Sequence, residues 1–298
     1  MDTEPVAKPG RGLPRWVPFF GRAARAPTVA VIRLAGVIAA GGRLRGSLNM
    51  ASIAPLLERA FALKRVKAVA LQINSPGGAP AQTSLLFQRI RALADEKKVP
   101  VLAFVEDAAA SGGYWLACAA DEIYADRNSI IGSIGVIYAG FGLDQAIAKL
   151  GVERRLHTAG EKKSILDPFL PEKPDDIARL TGLQQEIHAR FKDLVRQRRG
   201  DRIKGDDAVL FSGEFWTGQR AFDLGLIDGF GEMTTVLKTR FGADVRLRLM
   251  SAPRSMFDLI RRGEVGAADG GGLDLGTNFA DGVLAAVEAR LWWNRLGL

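Results

Sequence analysis

From Thr28 onward, short β-rich apolar runs alternate with segments whose apolar residues recur at helical spacing. Val29–Leu34, Val66–Ile73 and Val99–Val105 read as strands. Between them, Ile53–Leu63 lines up Ile53, Leu56, Leu57, Ala60 and Phe61 on one helical face, and Ala81–Ala94 does the same with Leu85, Leu86, Ile90 and Leu93. Further along, Glu122–Ala125 and Val152–His157 read as strands, while Ser111–Ala120, Ala221–Leu226 and Glu232–Phe241 read as helices. Ile130–Leu150 is a Gly-rich loop followed by a helix. Asp175–Arg199 is a long helix whose Arg/Lys-rich end suits the negative C-terminal dipole. Strands alternating with helices predict an α/β fold, a parallel sheet with flanking helices.

The pattern divides the chain into three parts. Residues 1–27 form a basic arm, with Lys8, Arg11, Arg15, Arg22 and Arg25 around the apolar Trp16, Val17, Phe19 and Phe20. Residues 28–245 form the globular domain. Residues 246–298 form an extension with a Gly-rich linker, Gly263–Gly276, and an amphipathic helix, Phe279–Leu296. Apolar residues make up 47% of the 298 and charged residues 25%, which excludes a wholly disordered chain. The net charge of +8 fits an anionic partner such as a membrane surface, but the basic arm is the simpler source, and no nucleic-acid role is expected. A peripheral membrane contact through the arm or the last helix is the most that this charge supports. The most apolar uncharged run, 128–143, holds four glycines and falls short of the roughly 20 residues of a span. The single cysteine, Cys118, rules out an intrachain disulfide, lies in an Ala-rich stretch and reads as a small core residue. These features point to a cytoplasmic protein, or one peripheral at the inner face of the membrane.

Two glycine-rich turns carry the candidate chemistry. Asn74-Ser75-Pro76-Gly77-Gly78 follows a buried strand; its glycines leave backbone N–H groups uncovered, as an oxyanion-binding element requires. The alternative is an ordinary strand-to-helix turn. Ala110-Ser111-Gly112-Gly113 puts a serine where a strand gives way to a helix, with small neighbours that leave room for a substrate backbone. Ser111 there is either a nucleophile or a helix N-cap. A histidine base would have to be His157, because His188, beside Arg190 and Lys192 on the long helix, looks solvent-facing. A lysine base is the other candidate, from Gly160-Glu161-Lys162-Lys163-Ser164. A lysine acting as base must lose about 3 units from a reference pKa near 10.4, which burial in a dry site can supply.

Five motifs then fall in order: Asn74–Gly78, Ser111–Tyr114, Gly132-Ser133-Ile134-Gly135, Gly160–Lys163, and Trp216-Thr217-Gly218 through Leu224-Gly225-Leu226-Ile227-Asp228. Together they resemble the signal peptide peptidase A family of serine proteases over roughly residues 28–242. The resemblance implies a fold related to the caseinolytic protease and crotonase superfamily. It implies Ser111 as nucleophile and Lys163, three residues after Gly160, as base. Gly78 and Gly112 would be the oxyanion donors, and Ser133 would orient the lysine amine. It implies peptide substrates, no cofactor and no metal. The chain is expected to lack the duplicated first half and membrane anchor of the long members, so that a homo-oligomeric ring would complete the Ser/Lys pair. Two other functions use the same fold: a crotonase-like acyl-CoA enzyme and a non-catalytic scaffold or adaptor.

Overall fold

The computed structural model of the chain describes residues 26–40 and 47–251, together with Trp293, Asn294 and Leu296. The expectations for the basic arm and the Gly-rich linker lie outside the described residues. The strands are β1 (Thr28–Ala35), β2 (Val66–Ser75), β3 (Val101–Ala110), β4 (Glu122–Ala125), β5 (Ile130–Gly132), β6 (Phe215–Thr217), β7 (Gly229–Phe230) and β8 (Arg246–Leu249). The helices are α1 (Met50–Phe61), α2 (Pro80–Lys97), α3 (Gly112–Ala117), α4 (Asp144–Lys149), α5 (Pro174–Arg199), α6 (Asp207–Leu210), α7 (Gly218–Asp223) and α8 (Met233–Phe241).

The expected parallel α/β sheet is present. Its strand order is β6-β5-β3-β2-β1-β8, with β4 and β7 on a branch, and the β5–β6 pair is antiparallel. The branch arises within β3. Leu102–Val105 pair with β4, and Ala108–Ala110 pair with β5, so the sheet splits at Glu106 and Asp107. Both faces of the central strands are covered. Val69, Leu71 and Ile73 of β2 pack with α1 and α2 residues such as Leu57 and Ile90, while Ala68 and Ala70 face Leu237 of α8. Burial on both faces is why β2 and β3 read as continuous apolar runs rather than alternating ones.

Three sequence readings change. Val152–His157 is not a strand: it joins no strand among the described residues, and its side chains are exposed, as a run carrying Glu153, Arg154 and Arg155 tolerates. Ile130–Gly132 is a strand, not loop. The sheet also continues past residue 245, because β8 pairs in parallel with β1 from Thr28 to Val31 and closes that edge.

A buried ion pair ties the far end of the fold to the sheet. Arg199, at the end of α5, is 2% exposed and grips Asp228 with two nitrogens at 2.8 and 3.0 Å; its Nε donates to the Gly225 carbonyl at 3.0 Å. The Asp228 carboxylate also accepts from the backbone N–H of Ile123 at the start of β4, at 2.7 Å. Burial works to raise the Asp228 pKa, but the Arg199 hydrogen bonds and charge outweigh it and hold the carboxyl below its ordinary value. Nearby, the Tyr114 hydroxyl of α3 donates to the Leu226 carbonyl at 2.8 Å, and burial pushes it well above the ordinary phenol range. Cys118 is buried and its thiol is pushed up to about 11, first by burial, as its reading as a core residue requires.

Asp228→Ala leaves a buried guanidinium without its partner and should cost about 3–5 kcal/mol in chemical denaturation at neutral pH. Because the folded pKa is depressed, the carboxylate's contribution is present above the ordinary carboxylate range and is lost as pH falls through the folded value. A loss under about 1 kcal/mol at pH 7 would mean that the pair does not anchor the fold.

Candidate active site

The carboxyl ends of β2 and β3 bring the two glycine-rich turns together. At the end of β2 the fully buried Ser75 hydroxyl donates to the Gly36 carbonyl at 2.7 Å and accepts from the Gly77 N–H at 3.2 Å. The Gly77 carbonyl accepts from Ile38 N–H at 2.8 Å, and Ala79 N–H donates to the Ile38 carbonyl at 2.7 Å. The intervening Gly78 N–H makes no backbone hydrogen bond among the described residues. Gly77 and Gly78 have φ of 104° and 141°, open to glycine at no steric cost.

At the end of β3, Ser111 has φ 52° and ψ −121°. Few residues other than glycine adopt such a backbone, and it occurs where a strand turns sharply into a helix to present a side chain. The Ser111 N–H donates to the Gly132 carbonyl at 2.8 Å, and the Ser111 carbonyl accepts from Tyr114 and Trp115 N–H groups at 3.0 Å each. The hydroxyl makes no capping bond to α3. Of the two roles open to Ser111 in the sequence, the N-cap is therefore unfilled. Gly112 N–H, the first amide of α3, makes no backbone hydrogen bond among the described residues.

The two turns touch backbone to backbone. A Cβ on Gly77 would stand 2.8 Å from both the Ser111 Cβ and the Gly112 nitrogen, and one on Gly113 would stand 2.4 Å from the Ser75 carbonyl oxygen. One on Gly78 would stand 2.0 Å from the Ile38 carbonyl oxygen. Glycine is what allows Gly77 to lie against Ser111 and Gly78 to lie against Ile38.

A third turn completes the surround. Ser133 has φ 52°, its N–H donates to the Glu214 carbonyl at 2.7 Å, and it lines a cavity of about 380 Å³ with Ser111. Val136, Ile137 and Phe215 give that cavity an apolar wall, and Leu296 reaches it from the end of the chain.

Within one chain neither expected base lines the cavity beside Ser111. Lys163 is exposed on the turn after Gly160, its N–H donating to the Gly160 carbonyl at 3.1 Å, and it does not line the cavity. Its turn is held by Asp167, which accepts from Phe169 N–H at 3.0 Å, the Ser164 hydroxyl at 3.1 Å and Arg154 at 2.7 Å. These contacts, the Phe169 N–H first, keep the Asp167 carboxyl below its ordinary value. His157 is exposed and also lies outside the cavity. His188, read as solvent-facing, instead lines the cavity with Ser111 and places Nε2 3.0 Å from the Ile134 carbonyl oxygen. The signal was present in its spacing: His188, Phe191 and Val195 share one helical stripe, and the latter two are fully buried.

A parallel α/β sheet that displays a strained, uncapped serine at a strand-to-helix turn, packed against a second glycine-rich turn, defines the class of site. The chain belongs to peptidase family S49, whose sequence pattern matches residues 93–244. The resemblance drawn from the five motifs is borne out at the level of the family, which speaks against the acyl-CoA enzyme. The chain is 30% identical over 234 residues to the chloroplastic serine protease SPPA of Arabidopsis thaliana, covering 76% of this chain and 33% of that one. It is 34% identical over 176 residues to a putative protease of Methanocaldococcus jannaschii, covering 58% and 55%. A Brucella melitensis protein named as a Na(+)/H(+) antiporter is 48% identical over 290 residues, covering 96% of this chain and 39% of that one. The chain thus spans only a third to two fifths of the Arabidopsis and Brucella proteins, and the antiporter name describes a far longer polypeptide. Among the described residues no helix is long and apolar enough to cross a membrane.

Gly113→Ala should cost about 1–3 kcal/mol, since its methyl group meets the Ser75 carbonyl oxygen and the backbone must shift. Gly182→Ala on α5, where a methyl group meets nothing within 4 Å, should instead be neutral or stabilising by up to about 1 kcal/mol. Thermal melts of the two variants moving in the same direction would contradict the close packing of the turns.

Proposed function

We propose that the protein is a serine endopeptidase in which Ser111 attacks a peptide carbonyl and Lys163 of a second copy takes the serine proton. The observation that carries this reading is the backbone of Ser111, held at φ 52° and ψ −121° with its hydroxyl uncapped. Strain of this kind is worth about 1–3 kcal/mol and persists only where the surroundings enforce it. In the reaction the serine oxygen bonds the carbonyl carbon, the amides of Gly78 and Gly112 donate to the developing oxyanion, and the protonated amine passes its proton to the leaving nitrogen. Water, activated by the amine returned to its neutral form, then hydrolyses the acyl-enzyme. Ser133 is the hydrogen-bond partner that orients the amine.

The position of Lys163 supports a second copy. In the isolated chain the amine is exposed and apart from the serine cavity. The same part of the chain exposes Ile137, Tyr138, Phe141, Leu150, Val152 and Leu156. Six large apolar side chains left in water along this stretch favour burial against a neighbour. Packing it against a neighbour would take the amine out of water, which disfavours its charged form. A contact in which one copy's Lys163 meets the next copy's Ser111 is head-to-tail, and a ring closes it. Unfolded peptides with apolar side chains are the substrates that the walls of Val136, Ile137 and Phe215 favour.

A second reading uses His188 as base within one chain, because it shares the cavity with Ser111. Its Nε2 is engaged by the Ile134 carbonyl, which makes it the weaker candidate.

Ser111→Ala and Lys163→Ala should each abolish casein or peptide turnover, with Lys162→Ala much less affected. Mixing the two dead variants under conditions of verified subunit exchange should restore part of the activity. Zero activity in the mixture would place the base within one subunit, and full activity of Ser111→Ala would remove the nucleophile.

A further inference from the structure

We propose that His188 is a positioning residue for Ser111, acting through the 132–135 turn; the proposal rests on Ser111 being the nucleophile. A carbonyl oxygen can only accept, so the 3.0 Å contact with Ile134 requires that Nε2 carry the ring proton and donate it. The contact therefore fixes the tautomer, and a nitrogen that already bears a proton cannot take one from Ser111.

The ring is well placed to hold this turn. His188 stands one helical turn before Phe191, which stacks on Trp115 of α3 with ring centres 4.8 Å apart. One stripe of α5 thus grips both the helix that follows Ser111 and the turn beside it. The turn needs such support, because Gly132 and Ser133 have φ of 114° and 52° in succession. Three hydrogen bonds pin it: Ser133 N–H to the Glu214 carbonyl at 2.7 Å, Ser111 N–H to the Gly132 carbonyl at 2.8 Å, and His188 to the Ile134 carbonyl. The first ties the turn to the segment entering β6, the second ties it to the nucleophile, and the third ties it to α5. With the third gone, strain at Ser133 relaxes through the flexible Gly132 beside it, the Gly132 carbonyl moves, and the Ser111 amide moves with it. Misplacement of a reacting group by about 1 Å can cost on the order of 100-fold in rate.

The test compares His188→Leu with His188→Gln in the full chain, both checked for folding by thermal melts. His188→Gln keeps a donor within reach of Ile134; His188→Leu does not. Two readouts are taken: the rate at which a fluorophosphonate labels Ser111, and hydrogen exchange of the amides of residues 132–135. His188→Leu should label about 10- to 100-fold more slowly and exchange faster in the turn, and His188→Gln should recover both to within about threefold of wild type. If His188→Leu does not fold, His188→Glu, which has the shape of Gln without its donor, takes its place. Wild-type labelling and exchange in the donor-free variant would overturn the proposal. So would a Gln variant that protects the turn yet labels as slowly as the Leu variant, since the imidazole itself would then take part in the chemistry. Failure of wild-type protein to label at Ser111 would remove the nucleophile and this proposal together, whereas a normally labelled wild type with unaffected variants removes only the role of His188.

Discussion

The site depends on one packing constraint: two strand-end turns meet with no side chain between them. Gly77 lies so close to Ser111 and Gly112 that a methyl group there would stand 2.8 Å from each. Close contact of bare backbone brings the glycine-rich turn at the end of β2 directly against the serine turn. It also forces the serine out of ordinary backbone conformations, because the chain must turn from β3 into α3 without swinging away from Gly77. The feature that makes the serine available is thus the feature that makes it strained.

The surrounding fold is arranged to bear that strain. Parallel strands buried on both faces give β2 and β3 fixed ends, and the split of β3 between β4 and β5 brings the Gly132 carbonyl onto the Ser111 amide. The Arg199–Asp228 pair and the Tyr114 hydroxyl secure α3 and α5 from behind. These are buried polar contacts in which each charge or donor has a partner, the condition under which such groups rigidify a structure rather than weaken it.

Much of this was legible in the sequence, for identifiable reasons. The central strands and the long helix α5 were readable because their apolar residues repeat over many positions. The serine and the glycines at 77, 78, 112 and 113 were readable because turn chemistry restricts which residues can stand there. The strands β5 to β8 were not, since they run two to four residues each and owe their pairing to neighbours distant in sequence. Val152–His157 has strand-like composition but no partner strand among the described residues. His188 was misread because Arg190 and Lys192 suggested an exposed face, whereas its half-buried place follows from the stripe shared with Phe191 and Val195. Within one chain Lys163 lies exposed and outside the serine cavity, and a pairing proposed between two copies is a relation between surfaces that no pattern along one chain encodes.

The central claim is that the strained serine faces an oxyanion site made by two particular amides. A crystal structure of the protein after reaction with a fluorophosphonate tests it most directly, because the phosphonyl oxygen takes the place of the oxyanion. The account predicts phosphorus bonded to the Ser111 oxygen, with the phosphonyl oxygen about 2.7–3.1 Å from the nitrogens of both Gly78 and Gly112. An adduct on another residue, or a phosphonyl oxygen turned away from those amides, would contradict it.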